Sequence, residues 1–428
     1  MSSILIKNGF LVDMVKKQDM VKEKDILIVG GKIIKIENKL DDKADITIDA
    51  KGCSVMPGFV NSHTHSAMSI FRGYADDSQL MDWLQNKIWP VEDKLTKEEI
   101  YFSTYLGCIE MIKSGTTTFN DMYFMMDSVA KAVEDCKMRA FLGRCIMSVK
   151  NRKDIRVKEA IKLYNDFNCK CNDKIKVNIS AHAPYTCDKK SLLLCKDLCE
   201  KLNVALHIHL DETKSEHENI LKQEGMSPTK YLDSLGLFDI PTILAHGVWL
   251  EDSDINILKS KNTSIVHNPI SNAKLASGIA PITKYIKNGI NVCLGTDGAG
   301  STNTLDMFEE MKVCNYLQKI SILDSSCIDA YQALEMATIN GAKALGIEKE
   351  IGTIEIGKKA DIIIVDMKKA HLTPFNNIYS NLVYACNGSD VVYTIVDGEI
   401  LMENRKLNFI DEKNIIDKCQ MIAKKYFK

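Results

Sequence analysis

No run of apolar residues in this 428-residue chain approaches the ~20 positions a membrane-spanning helix needs. The opening stretch, MSSILIKNG, lacks the apolar core of a secretory leader, so the expected compartment is the cytoplasm. No Cys-x-x-Cys occurs. The 14 cysteines are scattered singly, and the closest pairs are Cys169/Cys171 and Cys195/Cys199. In a long chain that spacing speaks for reduced thiols packed as small hydrophobes and against a disulfide framework. Neither sign of charge is in excess: 55 basic residues stand against 57 acidic ones. With no basic cluster interleaved with aromatics, nucleic acid and anionic membrane surfaces are not expected partners. Solenoid-type repeats and low-complexity tracts are also missing.

What is present is a globular composition, 45% apolar and 26% charged, long enough for a 200–300-residue barrel and a smaller companion. The middle of the chain alternates β-type runs with helical stretches. Strands are predicted over Val55–His63, Thr116–Asp121, Arg139–Ile146, Lys176–His182, Val204–Leu210, Thr242–Gly247, Ser264–Pro269 and Asn291–Asp297. Helical periodicity fills gaps between them, as over Asp127–Cys136, Val157–Phe167, Ser191–Leu202, Asp252–Lys261 and Ile282–Asn288. Eight strands alternating with helices call for a closed parallel sheet, the (β/α)₈ barrel of the α/β class.

Residues 1–54 and 360–404 read differently, as short alternating runs punctuated by turns such as Gly30-Gly31 and Asp397-Gly398. The two ends are expected to pair into one small β-sandwich-like domain from residues 1–57 and 359–428, with a last helix at Glu412–Tyr426. Residues 58–358 are left for the barrel.

In such barrels the active site lies at the C-terminal ends of the strands. Those ends carry His63 and His65, Asn120 and Asp121, Arg144, His182, His209, His246, His267 with Asn268, and Asp297. Seven of the nine histidines fall in these strands or within two residues of their ends. Side chains two apart on a strand share a face, so His63 and His65 can take two corners of a metal site. Histidine nitrogen and carboxylate oxygen suit zinc, which becomes catalytic when one position stays open to water. His207 shares a face with His209 but lies deeper and reads as a packed core histidine.

The stretches PGFVNSHTHSAMSIFRG, MDWLQNKIWPVEDKL, SGTTTFNDMY, HAPYTC, HLDET, LAHGVWL, HNPISNAKLASGIAP, LGTDGAGSTN and IGTIEIGKKADIIIVD carry a resemblance over nearly the whole chain. They resemble the amidohydrolase superfamily, and in detail its 5′-methylthioadenosine/S-adenosylhomocysteine deaminases. The resemblance implies His63, His65, His209 and Asp297 as metal ligands and Glu212 as the acid–base carboxylate. His246 would stand beside the attacking water, making Glu212, His246 and Asp297 the catalytic set. Trp83, Glu92, Arg144 and His182 match substrate-contacting positions, Glu92 on the ribose hydroxyls, with Arg156 a weaker match. Glu212 and Asp297 would touch substrate as well.

Two-metal relatives bridge their ions with a carboxylated lysine at the end of strand four. Here that strand ends at His182 and its Lys176 sits at the start, so one Zn²⁺ per chain is expected. The other zinc-deaminase design, H-x-E with P-C-x-x-C, is absent. The implied reaction is hydrolytic deamination of adenosine-type nucleosides: 5′-methylthioadenosine, S-adenosylhomocysteine, and adenosine or 5′-deoxyadenosine. The alternative keeps the barrel and changes the substrate to guanine, another aminopurine or a triazine. A silent binding protein on the same fold would not need to keep ligands and acid together. A small-molecule nucleoside is the expected partner, and a homo-oligomer is left open.

Overall fold

The computed structural model describes residues 2–151, 153–374 and 376–427. Five strands come first: Ser3–Leu11 (β1), Glu23–Val29 (β2), Lys32–Glu37 (β3), Ile46–Asp49 (β4) and Cys53–Pro57 (β5). Eight barrel strands follow: Phe59–Thr64 (β6), Thr116–Tyr123 (β7), Arg139–Ile146 (β8), Ile175–Ala181 (β9), Leu206–Leu210 (β10), Thr242–His246 (β11), Thr263–His267 (β12) and Asn291–Leu294 (β13). Ile362–Asp366 (β14), Val391–Val396 (β15), Glu399–Glu403 (β16) and Lys406–Leu407 (β17) return to the first group, and the helix Glu412–Tyr426 ends the chain.

The barrel sheet runs β6 to β13 in sequence order, every pair parallel. Beyond β13 the chain meets β6 again in a parallel bridge between Thr64 and Asp297. The last expected strand therefore stops at Leu294, and Asp297 closes the ring from the loop. Helices pack outside, and their ends follow local chemistry. Lys97–Lys113 starts on a capping box between Thr96 and Glu99. Lys214–Glu224 starts on Thr213, whose hydroxyl accepts from the Glu216 nitrogen at 3.1 Å.

The expected strand Val55–His63 is two strands in different sheets. The change occurs at Gly58, whose nitrogen donates to Asp361 O at 3.0 Å. A Cβ there would lie 2.1 Å from Thr117 Cγ2, so only glycine passes. β5 pairs antiparallel with β14, from Pro57 opposite Ile362 to Cys53 opposite Asp366, and this pairing joins the two ends of the chain. The resulting nine-stranded sheet encloses a core that includes Ile6, Ile26, Ile33, Val55, Ile362 and Ile395. Its hairpin turns meet: Gly31, at φ +81°, would place a Cβ 2.6 Å from Asp397 O.

A buried ion pair fastens this sheet to the barrel. Arg139 of β8 donates through Nε and one Nη to the two carboxylate oxygens of Asp361 at 2.8 and 3.0 Å, with both side chains at most 3% exposed. Among the described residues no helix is long and apolar enough to cross a membrane.

Candidate active site

The strand ends bring the predicted cluster together. His65 Nε2 lies 3.3 Å from Asp297 Oδ1 and 3.3 Å from His209 Nε2, and His63 Nε2 lies 3.6 Å from Asp297 Oδ1. Two overlapping groups, His63–His65–Asp297 and His63–His209–His246, each hold their donor atoms within 4.8 Å of one another. The opposite ring nitrogens are anchored. His65 Nδ1 lies 2.5 Å from Met122 O, and His209 Nδ1 lies 2.6 Å from His182 O. A carbonyl can only accept, so both rings carry their proton on Nδ1 and turn a bare Nε2 inward, the form that binds metal. His63 Nε2 is buried and without a hydrogen-bond partner. An orphaned imidazole nitrogen facing other ligand atoms fits a metal and fits no apolar core. The donor set of three imidazoles and one carboxylate suits zinc.

The local backbone is strained just at and beyond the ends of these strands. Asp211, His246 and Asp297 take φ of 50°, 75° and 64°. Such left-handed conformations cost on the order of 1–3 kcal/mol each in non-glycine residues and persist where surrounding contacts impose them. For Asp297 those contacts are Ser271 Oγ at 2.6 Å and Ser301 Oγ at 3.1 Å on Oδ2, with its neighbour Gly298 N at 2.8 Å on Oδ1. For His246, Nδ1 sits 2.8 Å from Asn272 Oδ1, which leaves Nε2 pointing at Glu212 Oε2, 3.8 Å away. The helix Pro269–Lys274 supplies both Ser271 and Asn272.

Burial and charge give the carboxylates different protonation states. Glu212 is pushed up to about 8 by burial and by the nearby Asp297, so it keeps its proton at neutral pH. Burial also disfavours charge on Asp297, but the surrounding rings of His63, His65 and His246 outweigh it. They hold this carboxyl well below the usual carboxylate range. Two carboxyl groups in one pocket are thereby separated into an acid and an anion. Glu216 braces the first of them, accepting from the backbone nitrogens of Glu212 at 2.9 Å and Asp211 at 3.3 Å.

A cavity opens onto the cluster, and Trp83, Glu92, His182, Glu212, His246 and Asp297 all line it. Trp83 lies in a wide π-type turn, Trp83–Ile88, a feature frequent at functional sites. Glu92 accepts from the Tyr123 hydroxyl at 2.5 Å, yet burial still pushes its carboxyl up to about 7. His182 Nδ1 meets Thr186 Oγ1 at 2.7 Å, and burial holds the ring neutral, down to about 3.

Arg144 and Arg156, expected on the substrate, do not line this cavity. Arg144 Nε donates to Glu159 at 2.8 Å, and its guanidinium stacks 5.6 Å from the ring centre of Phe124, which does line the cavity. Arg156 forms a two-pronged pair with Asp154 at 2.9 Å. Each arginine pairs with a carboxylate of the chain, and Arg144 also donates to Cys145 O. His267 is buried with neither ring nitrogen hydrogen-bonded. Sequence reasoning passed over Tyr123, Ser271, Asn272 and Ser301. Their signals were the motifs NDMY, HNPISNAK and TDGAGS, whose polar residues sit at or shortly after the ends of barrel strands.

The amidohydrolase family pattern matches residues 54–401. The chain is 45% identical over 99% of its length, and 98% of the relative's, to a 5′-deoxyadenosine deaminase of Methanosarcina mazei. It is 46% identical to a 5-methylthioadenosine/S-adenosylhomocysteine deaminase of Thermoanaerobacter pseudethanolicus, over 99% of both chains. A crystal structure of an adenosine deaminase from Xanthomonas campestris with bound zinc superposes with a TM-score of 0.95 at 31% identity, covering 99% of this chain and 98% of that one. The family match spans most of the chain, the relatives span nearly all of it, and the strand-end histidines and aspartate converge as a metal site: this protein belongs to the amidohydrolase family.

Proposed function

We propose that this enzyme deaminates adenosine-type nucleosides hydrolytically, releasing ammonia and the inosine analogue, with one zinc ion per chain. One observation carries the reading: Glu212, Asp297 and Glu92 all line one cavity at the imidazole cluster, where Glu212 is shifted towards its acid form and Asp297 towards its anion. The relatives at 45–46% identity, named for 5′-deoxyadenosine, methylthioadenosine and S-adenosylhomocysteine, support the same substrate class.

His63, His65, His209 and Asp297 would hold the zinc ion, which when bound would supply a Lewis acid able to lower the pKa of water towards ~7. A single ion fits the donor set, because Lys176 pairs with Asp173 at 3.1 Å and, among the described residues, no lysine lines the cavity.

The chain's own groups then move the protons. His246, its Nδ1 proton held by Asn272, offers Nε2 to the attacking water and shares that task with Asp297. Glu212 gives its proton to the ring nitrogen as the carbon–oxygen bond forms. The exocyclic amine takes up the water's first proton and leaves as ammonia when the carbon–nitrogen bond breaks. The remaining hydroxyl proton returns to Glu212, and the product is the keto form. Positioned acid–base groups of this kind typically contribute about 10²–10⁴-fold. Glu92 accepts the ribose hydroxyls, and Trp83 and His182 wall the base and sugar.

An ammonia-release screen over adenosine, 5′-deoxyadenosine, 5′-methylthioadenosine, S-adenosylhomocysteine and guanine tests the reading. Nucleosides should turn over and guanine should not. Faster turnover of guanine would overturn it.

A further inference from the structure

We infer that His207 is a positioning residue for the metal: it holds the ring of His63 as main-chain carbonyls hold the rings of His65 and His209. The inference rests on the metal site proposed above. His63 is the exception among the three imidazole ligands, because no carbonyl meets its Nδ1. Instead, His207 Nε2 lies 2.9 Å away, with the two rings edge to face, 5.0 Å between centres.

His207 stands on β10, two residues before His209 and one layer deeper in the barrel. It reaches across the interior to β6, four strands away in the ring. Both rings are fully buried. The layer continues: the Asn120 amide meets His207 Nδ1 at 3.2 Å and donates to Ser62 O at 2.9 Å, and Asn178 donates to Asn120 Oδ1 at 3.2 Å. Branched aliphatic side chains usually fill this layer of such barrels. Four strands contribute a connected polar chain here, and it ends on a metal ligand.

The chemistry gives the contact a direction. A His63 that offers Nε2 to the ion carries its proton on Nδ1 and needs an acceptor there. His207 Nε2, 2.9 Å away, is that acceptor. In that tautomer His207 Nδ1 carries a proton, so Asn120 turns its amide oxygen to it, and its contacts with Ser62 O and the Asn178 amide reorganise with it. Hydrogen-bond partners behind metal-bound histidines typically affect affinity 10–100-fold.

Zinc affinity, measured by competition with a chromophoric chelator, separates positioning from packing when read on two variants of similar volume. H207Q keeps an acceptor in the layer, and H207L removes it. The expected result is zinc affinity within about threefold of the parent for H207Q and a loss of about 10–100-fold for H207L. Parental zinc affinity in H207L, or equal losses in both, would mean packing alone and would overturn the inference. Should H207L fail to fold, the unmodified zinc-loaded protein labelled with ¹⁵N-histidine gives the answer. A through-hydrogen-bond coupling between His63 Nδ1 and His207 Nε2 is expected, and its absence overturns the inference. None of these readouts depends on turnover, so the inference can fail while the deaminase reading stands.

Discussion

The backbone nitrogen of Asp297 donates to the carbonyl oxygen of His63 at 2.9 Å, and Thr64 Oγ1 donates back to Asp297 O at 3.0 Å. Barrel closure and metal-ligand placement are therefore one event, because the residues that seal the first strand to the last also carry two of the ligands. Asp297→Asn leaves those backbone bonds intact but removes a charged ligand and a proton acceptor. Zinc content by elemental analysis should drop well below the parental value and turnover should fall with it, while the far-UV circular dichroism stays parental. Full zinc content with normal turnover would remove Asp297 from the site.

Glu212→Gln keeps size and hydrogen-bonding reach but has no proton to give. kcat should fall by a factor on the order of 10² or more, with zinc content unchanged. A kcat close to parental would assign the ring-nitrogen proton to another group.

The Tyr123–Glu92 contact aims a carboxylate that needs hydrogen-bond donors, and the ribose hydroxyls provide them. Glu92→Ala should lower kcat/KM on adenosine-type nucleosides by roughly 2–4 kcal/mol, the larger values reflecting bonds to a charged group. Activity on any free base should barely change. Equal losses on nucleoside and base would take Glu92 off the ribose.

Arg144 and Arg156 are occupied by Glu159 and Asp154 outside the cavity wall. Arg144→Ala and Arg156→Ala should each leave kcat/KM for 5′-methylthioadenosine within about threefold of parental, since less than ~1 kcal/mol is at stake where no contact exists. A loss of two orders of magnitude in either variant would place that guanidinium on the substrate.

The buried Arg139–Asp361 pair links the terminal sheet to the barrel. Asp361→Ala strands the guanidinium at a buried position, and denaturant unfolding should show a loss of about 3–5 kcal/mol. A change under 1 kcal/mol would mean that water reaches Arg139.

Much of this was legible because strand periodicity is simple. A period of two puts His63 and His65 on one face, and the order of apolar runs with polar ends gives the barrel and four of its metal-facing groups. What stayed hidden depends on three-dimensional proximity. Nothing local in Val55–His63 shows that Gly58 changes sheets, because the cause is Thr117, 59 residues on. Ser271 and Asn272 sit in a short helix without informative periodicity, and their roles appear only when Asp297 and His246 arrive beside them. Arg144 was placed at a strand end correctly, but its pairing with Glu159 on a neighbouring helix has no signature in either segment. His207 read as core because depth in a barrel is visible and hydrogen-bond partners are not.

The central claim is that water replaces the amine of an adenosine-type nucleoside. It is tested most directly by incubating zinc-loaded enzyme with 5′-methylthioadenosine in ¹⁸O-labelled water and weighing the nucleoside product. The account predicts the methylthioinosine mass with a single ¹⁸O and an equimolar yield of ammonia. Unchanged nucleoside, or ammonia without ¹⁸O in the ring product, would contradict it.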